Sequence, residues 1–408
     1  MNRCLPTFWI QPRHTAVAFY RTAVICGLAV GVAVPVAMAQ VTAPPANSTP
    51  TTPTTPAAPT AVAAVRPAPT TVPAPKMLSN SEKTSSTPTT ALIVTFVKEN
   101  VARLVGDDAD VASVARGDLV TAAMSPNTLQ PSSVIYLDTY INALAKELTP
   151  LLAKNLSMRA KLNIGIVAAK VADSSKPILP ATALQSLIQT LLQDPNEGVA
   201  LWGMKAAAAV LTAPNQTAPN GTLLRLIIPT IESHKLSGAI TQEAYGALQE
   251  LSPQVIDTLL KLYGRRVGIY KTGTIPQDPA VERHASAVLT VQAGMWSKLT
   301  AADRSKVMNL IADLLSDSSK AMLGKVSVEE MEQLRLLLIQ TGAAVSVVAD
   351  GVPDVALHDQ AIRLSKAGTN TPPATMVQMV APVVAAIRTD FPQTGAAAGN
   401  VVPSVAKP

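Results

Sequence analysis

Cysteine is nearly missing: the 408 residues hold two, Cys4 and Cys26, both before residue 40. Everything beyond them lacks disulfides, thiolate nucleophiles and cysteine-based zinc sites. Aromatic residues make up only 3% of the chain, so a core must come from Leu, Val, Ile, Ala and Met. That composition favours helices over a β-sandwich or barrel. Beyond residue 39 only His234, His284 and His358 are left, and none stands in an H-E-x-x-H or other ligand spacing. They read as surface or capping residues.

Recognisable reaction motifs are missing too. The chain has no G-x-S-x-G, no phosphate-binding glycine loop and no G-x-G-x-x-G, and its S-x-x-K match, Ser404 to Lys407, lies in a small, polar C-terminal stretch. Asp107, Asp108 and Asp110 resemble a cation loop only at first sight. Counting from Asp108 puts Ser113 where a calcium loop needs Gly and Leu119 where it needs Glu, so a solvated turn or helix cap is expected. No cofactor, metal or catalytic residue is assigned, and the expected class is not an enzyme.

What is present divides the chain in four. Residues 1–39 read as a secretory signal peptide, with Arg3, Arg13 and Arg21 ahead of an apolar run from Thr22 to Val36 and Ala37-Met38-Ala39 as a small-x-small cleavage site. The run is shorter than the roughly 20 apolar residues a membrane span needs and is broken by Gly27, Gly31 and Pro35. Its removal takes three arginines and no acid, lowering the net charge from +6 to +3. Residues 40–90 are Pro, Thr, Ala and Ser with few large apolar side chains, a composition that reads as a disordered linker. Residues 91–391 read as all-helical, and residues 392–408 as a disordered tail.

The helical region is organised around Asp194 to Leu211. Asp194 is expected as N-cap, Pro195 as the first helical residue and Glu197 as the return arm of a capping box. Val199, Trp202, Ala206 and Val210 then form one buried stripe, while Gly203 and the alanines flatten that face for a neighbouring helix. Similar stripes cover Ile93 to Leu104, Val111 to Met124, residues 132–154, Ser157 to Ala172, Leu184 to Leu192 and Thr222 to His234, where Pro229 predicts a kink. Further ones run from Ile240 to Leu251, Pro253 to Arg265, Asp278-Pro279 to Trp296, a Thr300-capped segment, Ser327-x-x-Glu330 through Leu338, and Met376 to Ile387.

Small residues recur in the first helix of successive pairs: Gly165 after Ile164, Gly203 after Trp202, Gly246 after Tyr245 and Ala287 after Ser286. The steps between them are 38, 43 and 41 residues. A two-helix period near this length is the mark of stacked helical repeats. Here the chain resembles HEAT or armadillo-type repeats, on Asp194-Pro195 followed by Val199 and on Asp278-Pro279 leading to Ala285 and Ala287, across about Asn155 to Ser316. It departs in having Ala200 where an Arg usually follows the Val, and Arg283 where the second unit should have Val. The resemblance implies an α-solenoid whose second helices line a concave, macromolecule-binding face, with no catalysis.

The expected function is an exported, non-catalytic scaffold that binds another protein or a cell-envelope polymer, with Gln185, Gln189, Arg225 and Lys261 on its contact face. The alternatives are a structural cell-envelope component, for which the linker does the main job, and a carboxylate hydrolase using Glu329, Glu330 and Glu332. Lys261, Arg265, Arg266 and Lys271 interleave with Tyr263 and Tyr270, but the low net charge argues for solvated cations complementing a helix end rather than a nucleic-acid groove. Nucleic acid is not an expected partner, nor is a membrane span after signal removal. The N-x-S/T triplets at Asn47, Asn155, Asn215 and Asn220 matter only in a host that glycosylates them.

Overall fold

The computed structural model describes residues 86–124, 131–175, 182, 184–214, 220–248, 253–283, 285, 296, 299–349 and 355–392. The expected signal peptide, most of the linker and nearly all of the tail lie outside them, as do His284 and Ala287. Among the described residues all regular structure is helical. The helices are α1 (Ser86–Leu104), α2 (Ala109–Met124), α3 (Pro131–Leu152), α4 (Met158–Ser174), α5 (Gln185–Leu192), α6 (Glu197–Leu211) and α7 (Gly221–Ser233). They are followed by α8 (Gly238–Ala247), α9 (Pro253–Lys271), α10 (Ala301–Ala321), α11 (Val328–Ala349), α12 (Val355–Ser365) and α13 (Pro373–Asp390).

Helices two apart in sequence are neighbours in space. α2, α4, α6 and α8 pack in succession as one row, and α1, α3, α5, α7 and α9 as a second. Each row hides its apolar stripe against the other: Ile164 and Val167 of α4, Leu187, Ile188 and Leu191 of α5, and Val199, Ala206 and Val210 of α6 are fully buried. Between the rows, Gly203 meets the end of α5, where an added Cβ would lie 2.9 Å from the Cβ of Leu191 and 3.0 Å from its carbonyl carbon. The flat face expected from the sequence is therefore used.

The pattern changes after α9. α10 packs on α9 and on α11, α11 on α12, α12 on α13, and α13 back on α10, which closes a four-helix ring. Asn309 of α10 fastens the ring by donating to the carbonyl of Phe391 at 2.8 Å. α12 was not anticipated, although Leu357, Ala361 and Leu364, all fully buried, hold helical spacing.

Local chemistry sets most of the helix starts. Asp108 caps α2 by accepting from the N–H groups of Asp110 and Val111, Ser157 caps α4, and Thr300 caps α10. Ser327 and Glu330 form a complete capping box, with the Ser327 N–H donating to Glu330 at 2.8 Å and the Glu330 N–H to the Ser327 hydroxyl at 3.1 Å. At α6 the expected cap is corrected. Asn196, not Asp194, accepts from the Val199 N–H at 3.2 Å, because the Asp194 carboxylate is engaged by Lys161 at 2.8 Å and by the Asn196 N–H at 2.9 Å. α7 runs unbroken through Pro229.

Contacts between the starts of successive first-row helices stitch that edge together. Arg159 donates to the carbonyls of Gly106 and Asp107 before α2, Lys161 pairs with Asp194 before α6, and Ser237 at the start of α8 donates to Glu197 of α6. Gly238, which opens α8, leaves room only for the Asp278 side chain lying against it. On the second row, Tyr140 and Tyr136 of α3 donate to the carbonyls of Leu119 and Ala122 near the end of α2. Burial pushes the Tyr136 phenol up to about 12.

Candidate functional site: a groove across the first row

α4, α6 and α8 leave a groove of about 500 Å³ on their outer face. Small side chains open it: Ala169 of α4, Ala208 and Ala209 of α6, and Gly246 of α8 form its floor. A Cβ at Gly246 would meet nothing within 4 Å, so this glycine faces open space and makes no tight helix contact. Polar and charged residues stand around that floor: Lys170 and Asp173 from α4, Lys205 from α6, Thr212 just after α6, and Glu243 from α8. Among the described residues, two cations and two anions balance on the rim.

Among the described residues, Trp202 is the one aromatic side chain lining the groove. It lies on the stripe read from the sequence, yet it is only partly buried, whereas Val199, Ala206 and Val210 are wholly so. The cause is the neighbouring helix. Gly165 of α4 offers no side chain, an added Cβ there would lie 2.8 Å from the Trp202 Cβ, and the indole is seated at the edge of the helix contact. Lys205, one helical turn along, holds its ammonium 4.7 Å from the ring centroid and 3.6 Å from the Glu243 carboxylate. Trp202 packs against the core, as its stripe predicts, and also lines the groove. Trp296, by contrast, packs edge-on against Phe391 at 6.0 Å with Arg304 over its ring.

The residues expected to form the contact face lie on the second row, and none of them lines the groove. Gln185 accepts from Asn220 at 3.0 Å, Lys261 pairs with Asp257 one turn away, and Arg225 is exposed with its Nε donating to the Gly221 carbonyl. The acids of the hydrolase alternative belong to the first turns of α11, where Glu330 is the capping residue. Its hydrogen bonds from Ser327 hold its carboxyl below the ordinary value. Among the described residues no three His, Cys, Asp or Glu side chains come together as a metal would require.

Of the cations in the basic cluster of α9, Lys261, Arg265 and Lys271 are exposed, as solvated cations should be, and Arg266 is not. Arg266, Tyr263 and Tyr270 are buried. Arg266 pairs with Glu282 at 2.5 Å and donates to the carbonyl of Leu236 at 2.8 Å and of Gln277 at 3.0 Å. The turns it reaches are left-handed at Lys235, Leu236 and Asp278. Tyr270 donates to the second Glu282 oxygen at 2.9 Å. Burial raises the Glu282 carboxyl above its ordinary value, with Arg266 and the Tyr270 hydroxyl pulling it back. Burial also works against the Arg266 charge, but Glu282 together with Tyr245 and Tyr270 outweighs it and leaves the guanidinium above its usual value. This knot ties α9 to the turn before α8 and to the segment that follows α9 itself. Sequence reasoning missed it because Arg266 sits between apparent surface cations and its partner is 16 residues away.

Compared with protein-family models, curated proteins and solved structures, the chain matches none.

Proposed function

We propose that this protein is an exported, non-catalytic scaffold that binds a macromolecular partner through the outer face of α4, α6 and α8. The observation that carries the reading is the groove itself, which three successive helices of one row build from small floor residues, a partly buried indole and a rim whose described charges balance. Successive rows of helices in register support an α-solenoid of HEAT or armadillo kind over α1 to α9, with the four-helix ring of α10 to α13 as its end. In such a stack each unit packs only on its neighbours, and the rows offer long outer surfaces for binding. The contact face belongs on the first row, not on the second-row residues that the sequence suggested.

Export rests on the leader-like residues 1–39, and a tether role for residues 40–90 on their Pro-rich composition. Among the described residues no helix is long and apolar enough to cross a membrane. The test is capture from the exported fraction of the producing cells with three baits: the unaltered chain, a groove variant carrying Lys170→Glu and Lys205→Glu, and a second-row variant carrying Arg225→Glu and Lys261→Glu. Loss of the captured material with the groove variant alone is expected. Loss with the second-row variant alone would move the contact face to α7 and α9.

A further inference from the structure

We infer that the Trp202 groove takes a neutral, polyhydroxylated chain, an oligosaccharide segment of an extracellular or envelope polymer. This rests on the proposal that the face of α4, α6 and α8 is the binding face, and names what that face recognises. The rim is the first ground. Lys170 and Lys205 are donors, Asp173 and Glu243 acceptors, and Thr212, whose hydroxyl donates to the Ala208 carbonyl, adds an acceptor, so among the described residues the groove offers hydrogen bonds of both kinds with its charges in balance. A charged ligand gains nothing from such a rim, whereas hydroxyl groups, each donor and acceptor, match it.

The floor is the second ground. Among the described residues, Ala169, Ala208, Ala209 and Gly246 give a surface of small side chains without a deep apolar pocket. Peptide recognition in helical grooves depends on large anchors seated in such pockets, and this floor has none to offer. A sugar ring needs instead a flat aromatic plate for its C–H face, and Trp202 supplies one. About 500 Å³ accommodates a few sugar units.

Lys205 is the third ground. Its ammonium covers the indole while Glu243 stands 3.6 Å away. A sugar ring takes the place of the ammonium on the indole, and the displaced charge moves fully onto Glu243. The aromatic face is thus kept covered in the free protein and is released without leaving a charge unpaired.

The experiment is titration of the full chain with four neutral tetrasaccharides of N-acetylglucosamine, glucose in β-1,4 and in α-1,4 linkage, and mannose, followed by calorimetry and tryptophan emission. The expected result is saturable binding of at least one with Kd below about 1 mM. Trp202→Ala should weaken it about tenfold or more, Glu243→Gln should weaken it without disturbing the packing at Gly165, and the second-row variant should leave it unchanged. Circular dichroism checks that each variant is folded. No saturable binding by any of the four, while the groove variant still loses its captured partner, overturns the glycan assignment and leaves the binding face standing. If that partner is a polypeptide lost on Trp202→Ala, the groove is a peptide site. If the groove variants change neither measurement, both readings fall.

Discussion

Gly165 and Trp202 occupy one another's space: a Cβ on the glycine would stand 2.8 Å from the Cβ of the tryptophan. The missing side chain on α4 lets α6 come close, and the same approach seats the indole at the lip of the groove. The packing of α4 on α6 and the wall of the groove thus share one contact.

Substitution of the repeat glycines should separate their roles. Gly165→Ala and Gly203→Ala both force a methyl into occupied space, the second against the backbone of Leu191 and Leu192 at 3.0 Å. Each is expected to cost about 1–3 kcal/mol in urea unfolding. Gly246→Ala meets nothing and should be neutral or stabilise by up to about 1 kcal/mol through helix propensity. A large loss at Gly246 would mean that α8 is packed in another way.

Arg266→Met removes the guanidinium from a fully buried carboxylate and from the carbonyls of two left-handed turns. A loss of about 3–5 kcal/mol is expected, much of it regained when Glu282→Leu is added. Chemical denaturation of the single and double variants measures both. A single variant as stable as the unaltered chain would contradict the knot.

The Tyr245 hydroxyl is fully buried and has no hydrogen-bond partner among the described residues. Tyr245→Phe removes it with the ring unchanged, so stability should hold or rise by about 1 kcal/mol. A marked fall in the melting temperature would show that the hydroxyl has a partner after all.

Glu330 has a lowered carboxyl pKa because the Ser327 backbone and hydroxyl bond to its charged form. A depressed folded value stabilises the protein above the ordinary carboxyl pKa, and the gain fades as pH falls through the folded value. The stability difference between the unaltered chain and Glu330→Gln should therefore be present at neutral pH and shrink below about pH 4. A difference that grows toward acid would reverse the sign of this argument.

Helix starts were largely legible, because a cap and its acceptor lie within three residues: Ser327 with Glu330, Thr300 with Asp303, Asp108 with Val111. The cap at α6 was misread for a tertiary reason, since Lys161 of the preceding helix claims the Asp194 carboxylate. Periodicity placed Trp202 on the right stripe but carries no information on depth, which the absent side chain at Gly165 decides. The groove was not legible at all. Its walls come from α4, α6 and α8, between Ala169 and Gly246, and only stacking brings them together. Arg266 shows the same limit for charge: a run of cations in sequence says nothing of a carboxylate 16 residues on.

The most direct test of the central claim is amide hydrogen exchange on the full chain, alone and with the material it captures from the exported fraction. Added protection should fall on Gly165–Asp173, Trp202–Thr212 and Ile240–Ala247, the segments around the groove. Protection confined to Gly221–Ser233 and Pro253–Lys271, with the groove segments unchanged, would contradict the account.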